Sequence, residues 1–131
     1  MSESHLPLMR TLIVDDEMDI CHLLTTILKR KNMEASFVNS LTEARSALKE
    51  AHPDILFLDN YLPDGLGIDF IHYVREQYPK TKVVVITAHD SMRERERAIA
   101  EGAVEFIGKP FTVETINSTL EKIIWEIINL K

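Results

Sequence analysis

Ile55-Leu56-Phe57-Leu58 is an uninterrupted apolar run that ends on the carboxylate of Asp59, after which the chain turns at Pro63 and Asp64-Gly65. A short run of this kind, bounded by turn signals, reads as a strand buried on both faces, the sort found in the middle of a parallel sheet. Ligands of open α/β sheets bind outside the carboxyl ends of the strands. An acid at the tip of a central strand is therefore placed for chemistry rather than for packing.

The rest of the chain fits that sheet. Strands are predicted at residues 10–14, 34–38, 82–86 and 104–107, the fourth of the series being as apolar as the third. Between them lie helical patterns. Residues 17–31 carry Ile20, Leu23, Leu24, Ile27 and Leu28 on one face, with Lys29, Arg30 and Lys31 at the end where cations are favoured. Ser40-Leu41-Thr42-Glu43 fits a capping box that opens a helix running to about residue 51. Further helices are expected at residues 67–77, from Asp90 or Ser91 to near Gly102, and at residues 112–129. Strand and helix alternate five times, which implies right-handed crossovers and an α/β fold with helices on both faces of a parallel sheet. At 131 residues this is one domain, residues 10–129, behind a flexible lead-in at residues 1–9.

Composition narrows the function. The net charge of −6 and the absence of a basic stripe argue against direct nucleic-acid binding by this chain. No apolar stretch approaches the ~20 residues that span a bilayer, and residues 1–9 lack the features of a signal peptide. The expected location is cytoplasmic, without membrane contact. Cys21 has no partner for a disulfide, and the five histidines are scattered, so neither a zinc cluster nor a histidine metal site is expected.

The strand ends offer Asp15 and Asp16, Asp59, Thr87 and Lys109. If the first strand is central, flanked by the second and third, these tips converge on one rim. Carboxylates so close repel unless a cation relieves them, and Mg2+ is a natural one because it takes oxygen ligands and bridges to phosphate. A carboxylate can attack phosphorus to give an acyl phosphate, with the metal, a lysine and a hydroxyl neutralising charge. Asp59, projected singly from the most buried run, is the best nucleophile.

Val14-Asp15-Asp16-Glu17, Leu58-Asp59 with Pro63 and Gly65, Ile86-Thr87-Ala88, Phe106 and Gly108-Lys109-Pro110-Phe111 together resemble the response-regulator receiver domain of two-component signalling, over residues 9–126. Each mark alone has an ordinary structural explanation; their order and their positions at strand ends make the set specific. The resemblance implies a flavodoxin-like (βα)5 doubly wound fold with strand order 2-1-3-4-5. It implies that Asp59 is the phosphoacceptor and that Asp16 contacts Mg2+ directly, with Asp15 acting largely through water. Asp59 and the carbonyl of Tyr61 would be further ligands. Lys109 would hold the phosphoryl group and precede a cis proline, and Thr87 and Phe106 would be the switch pair. The implied partners are a sensor histidine kinase or phosphotransfer protein, a downstream output protein or domain, and a second copy through the face of the fourth helix, fifth strand and fifth helix. The implied protein is a switch with self-phosphotransfer and autodephosphorylation, not a turnover enzyme. A receiver fragment of a larger transcription or output regulator is an alternative. A Mg2+-dependent phosphohydrolase is a weaker one, since it usually wants a second acid where Tyr61 stands, and a phosphate-independent interaction module would not need the full acidic set.

Three local features stand apart. Tyr61 and His89 are expected to flank the phosphoryl group and gate the attacking water, Tyr61 by shielding and His89 by positioning it. Phe106 lacks the hydroxyl of the tyrosine that many relatives carry there. On the last helix Ile116, Leu120, Ile123, Ile124 and Ile127 form the inward stripe at about 100° per residue. Trp125 falls opposite and is expected to be exposed on a partner surface.

Overall fold

The computed structural model describes residues 8–129, so residues 1–7 of the expected lead-in lie outside the described residues. The main strands are β1 (Arg10–Val14), β2 (Glu34–Val38), β3 (Ile55–Leu58), β6 (Lys82–Thr87) and β7 (Glu105–Gly108). They form one parallel sheet in the order β2-β1-β3-β6-β7, which is 2-1-3-4-5 when these five strands are counted alone. The helices are α1 (Met18–Arg30), α2 (Leu41–Ala51), α3 (Gly67–Gln77), α4 (Met92–Glu101) and α5 (Val113–Asn129). One element has no counterpart in the sequence pattern. Between β3 and α3 a two-stranded antiparallel hairpin, β4 (Tyr61–Leu62) and β5 (Gly65–Leu66), folds back on itself. The last strand also lies one residue later than its apolar pattern suggests, ending on Gly108.

Alternation along the strands divides the core. Leu12, Val14, Leu56, Leu58, Val83 and Val85 face one way and bury Ala44 and Leu48 of α2, Ile68, Ile71 and Val74 of α3, and Ala98 of α4. Ile13, Ile55, Phe57, Val84 and Ile86 face the other way, against Cys21, Leu24, Ile27 and Leu28 of α1 and Ile116, Leu120 and Ile123 of α5. Both faces of β3 and β6 are thus covered, as continuous apolar runs require. No helix is long and apolar enough to cross a membrane among the described residues.

The helices differ in how they are held. At the start of α2, Ser40 Oγ accepts from the Glu43 N–H, one half of the expected capping box, while the Glu43 side chain reaches one residue further back and accepts from the Asn39 N–H instead of that of Ser40. Asp64 of the hairpin loop adds a second cap, accepting from the N–H groups of Leu41 and Thr42 and from the Thr42 hydroxyl. Its carboxyl is held below the usual carboxylate range by these donors. Helix α4 is capped by Ser91 and buries Ala98, while Met92 and Ile99 stay exposed. Polar contacts supplement that anchor: Arg97 pairs with Asp69 on α3, and Arg75 donates to the Glu101 carbonyl at 3.1 Å.

Candidate functional site

The sheet register fixes which side chains meet. Leu58 is paired with Val14 on one side and Val85 on the other, so the residues that follow, Asp59 and Asp15, emerge side by side at the same rim. The Asp59 N–H donates to the Val14 carbonyl at 2.9 Å, and the Lys109 N–H to the Thr87 carbonyl at 2.8 Å. Gly67 permits a further approach: a Cβ there would lie 2.2 Å from the Asp59 carbonyl oxygen. Asn60 is buried and ties the acceptor loop to α3, its carbonyl accepting from Gly67 at 2.7 Å and its Oδ1 from Ile68 at 2.9 Å.

Asp15, Asp59 and Thr87 are all buried, and Lys109 reaches in from the end of β7. The Lys109 Nζ lies 2.6 Å from Glu17, 2.9 Å from Asp15 and 3.6 Å from Asp59. Burial raises the Asp15 carboxyl despite its bond to Lys109. Burial, reinforced by the negative charge of Asp15, pushes Asp59 up to about 6. For Lys109, burial alone would favour the neutral amine, but the hydrogen bonds to Glu17 and Asp15 and the charge of Asp59 outweigh it and raise the ammonium. The Lys109-Pro110 peptide bond is cis.

The carboxylate oxygens of Asp15, Glu17 and Asp59 lie within 4.8 Å of one another. Two buried acids and a third beside them, opposed by one ammonium, leave negative charge uncompensated, and an all-oxygen donor set suits a hard divalent cation such as Mg2+. Asp16 is exposed; it lines the same cavity, but Glu17 is the residue whose oxygen joins the cluster. The cavity, of about 280 Å³, is also lined by Tyr61, Thr87 and His89. Thr87 Oγ1 accepts from the His89 N–H at 3.2 Å. The Tyr61 ring packs against His89, 4.0 Å between centroids and tilted by 46°, and its phenol donates to Glu94 of α4. Phe106 is buried beneath Arg95, whose guanidinium lies 4.9 Å from the ring, donates to the Phe106 carbonyl and pairs with Asp90.

Of the residues the sequence singles out, Asp16, Asp59, Tyr61, Thr87, His89 and Lys109 line one cavity, Asp15 is buried beside it against Lys109, and Phe106 lies deeper, level with Val85 in the sheet. The sequence assigns no role to Asn60, Glu17 or Glu94, although Glu17 ends the acidic run that follows β1. Glu94 carries a local signal as the fourth residue of a second Ser-x-x-Glu sequence.

Comparison with known proteins gives one consistent answer. A family model described as the response regulator receiver domain matches residues 11–121. The response regulator protein PilR of Pseudomonas aeruginosa is 38% identical over 101 residues, covering 77% of this chain and 23% of PilR. The chain spans from 23% of PilR to 49% of CitB, a transcriptional regulatory protein of Klebsiella pneumoniae, so its curated relatives are much longer. Among solved structures, the beryllofluoride-activated NtrC4 receiver domain dimer matches with TM-score 0.86 and 37% identity, covering 90% of this chain and 98% of that one. A CheY-like receiver domain from Methanospirillum hungatei shares the fold at TM-score 0.90 and 22% identity, covering 95% and 100%.

Proposed function

The chain belongs to the response regulator receiver domain family, and on that premise we propose that it accepts a phosphoryl group on Asp59 and thereby switches partner binding. Receiver domains are signalling switches rather than turnover enzymes. The donor here is a phosphohistidine of a sensor kinase or phosphotransfer protein. The ionised Asp59 carboxylate attacks phosphorus, the P–N bond to imidazole breaks, and the electron pair leaves with the ring. The observation that carries this reading is the rim itself: Asp59 stands beside Asp15, with the Lys109 ammonium 3.6 Å away.

Each neighbouring group has a role in it. Asp15, Asp59 and the Tyr61 carbonyl, with Asp16 or Glu17, would hold Mg2+, which when bound offsets the charge gathering on the phosphoryl oxygens. Lys109 leaves its carboxylate partners to pair with the phosphoryl group. Thr87 turns its hydroxyl toward the same group, giving up the His89 N–H, and this movement is read by Phe106 and α4. About 5.5 kcal/mol of differential interaction swings a switch from 1:99 to 99:1, and a dianion engaging Lys109 and Thr87 supplies much of it.

The receiving surface is the α4-β7-α5 face, joined by a second copy or by an output domain of a longer regulator. Trp125, 63% exposed on α5, supports this assignment. The domain itself is residues 10–129.

Incubation with acetyl phosphate and Mg2+ tests the proposal. Label should appear on the protein, be lost in Asp59→Asn, and not turn over catalytically on a small phosphate ester. Absence of label, or label that survives Asp59→Asn, refutes it.

A further inference from the structure

Ser-x-x-Glu opens two helices, at Ser40–Glu43 and at Ser91–Glu94. In both, the serine Oγ accepts from the glutamate N–H at 3.1 Å. In the first, the glutamate side chain turns back, and Glu43 Oε1 accepts from the Asn39 N–H at 2.8 Å. In the second it is diverted. Glu94 Oε2 accepts from the Tyr61 phenol, and Glu94 Oε1 is buried with no partner. A buried carboxylate oxygen without a donor is costly, so local sequence alone does not explain where this side chain points.

The other end of the contact lies at the acceptor. Tyr61 sits two residues after Asp59, packs its ring against His89, and with His89 lines the cavity that Asp59 also lines. The ring is therefore held from three directions: by its backbone, by His89, and by α4 through Glu94.

We propose that Glu94 is a positioning residue that holds the Tyr61 ring against the Asp59 cavity, so that the ring excludes water and prolongs the acyl phosphate. The proposal rests on the reading of Asp59 as the phosphoacceptor. Loss of the phosphoryl group is hydrolysis: a water oxygen bonds to phosphorus, the bond from phosphorus to the Asp59 oxygen breaks, and its electron pair returns to the carboxylate. The water's protons pass to the released orthophosphate and to solvent. In-line attack needs a water in the cavity beyond phosphorus, and Tyr61 and His89 form part of that cavity's wall. The Glu94 tether also ties the shield to α4, because the residue that holds the ring belongs to that helix.

Decay of label after acetyl phosphate treatment, measured on the full chain with Mg2+, tests this. Tyr61→Phe keeps the ring and removes only the hydroxyl. It and Glu94→Ala should each shorten the half-life by a similar factor, roughly fivefold for the loss of one hydrogen bond. The double variant should decay no faster than either single one. Glu94→Gln, which keeps an oxygen acceptor, should stay close to wild type. In the unphosphorylated protein, Glu94→Ala should shift the NMR ring resonances of Tyr61 and His89. Unchanged half-lives, additive effects in the double variant, Glu94→Gln decaying like Glu94→Ala, or unmoved ring resonances overturn the proposal. A wild type that takes no label while the ring resonances do respond overturns the acceptor reading, and the shielding role falls with it.

Discussion

Replacing Asp59 with asparagine should stabilise this protein above neutral pH and leave its stability nearly unchanged in acid. Asp59 is 5% exposed, and burial together with the charge of Asp15 raises its carboxyl from 3.8 to about 6 in the folded state. An acid with a raised folded value binds its proton more tightly when folded than when unfolded. Stability is therefore greatest below pH ~3.8, where both states are protonated, and is lost as the pH rises through about 6. A rise of about two units at 1.36 kcal/mol each amounts to roughly 3 kcal/mol lost by pH 8. Asparagine has nearly the same shape and cannot ionise, so the D59N variant should be more stable than wild type by up to about that amount at pH 8. With urea m-values of about 1–3 kcal/mol/M, the midpoint should move upward by about 1–3 M at pH 8 and hardly at all at pH 4, in chelator. Mg2+ should close the gap, because a cation held by the wild-type carboxylates stabilises by about 2.7 kcal/mol at a hundredfold excess over Kd. A variant less stable than wild type at pH 8, or a difference equal at both pH values, would refute the reasoning.

Lys109→Met removes the ammonium that Asp15, Glu17 and Asp59 share; the carbon-13 titration midpoint of the Asp59 carboxyl, in chelator, should rise above about 6, and an unmoved midpoint would contradict the assigned electrostatics. Gly67→Ala drives a Cβ to 2.2 Å from the Asp59 carbonyl, a backbone atom that cannot swing aside, and should lower stability by about 2 kcal/mol or more in thermal melts. A melt indistinguishable from wild type would show that α3 can retreat without cost. Trp125→Ala, at an exposed site, should change stability by no more than about 0.5 kcal/mol yet weaken phosphorylation-dependent association in sedimentation; unaltered sedimentation would remove Trp125 from the partner surface.

The sequence was informative wherever one residue type carries one constraint. The apolar runs of β3 and β6 admit little but a buried parallel sheet, and once that sheet is granted, Asp15, Asp59 and Lys109 must share a rim. The hairpin at Tyr61–Leu66 escaped because its strands are two residues long, too short for any periodicity. Asn60 escaped because its two bonds to the start of α3 depend on how the loop closes, which no spacing encodes. The presence of Glu17 rather than Asp16 in the carboxylate cluster depends on which side chain turns inward where β1 gives way to α1. Adjacent acids cannot be told apart by position alone. Arg93-Glu94-Arg95-Glu96-Arg97 of α4 is a charge at every position, a pattern that by itself describes a solvated face, yet Glu94, Arg95 and Arg97 each reach a specific partner on another element.

Helix α4 buries Ala98, whereas α5 buries Ile116, Thr119, Leu120 and Ile123. If the proposed partner face is the one that α4 helps to form, cohesion and address are carried by different parts of the molecule. Substitutions at Met92, Arg93, Glu96 or Ile99 touch little that the fold depends on, so duplicated copies of such a gene can drift at these positions without losing the sheet or the acceptor. New partner preferences become reachable in single steps through folded intermediates. Insulation between two closely related signalling lines can then arise by changing only what the outer surface of α4 displays.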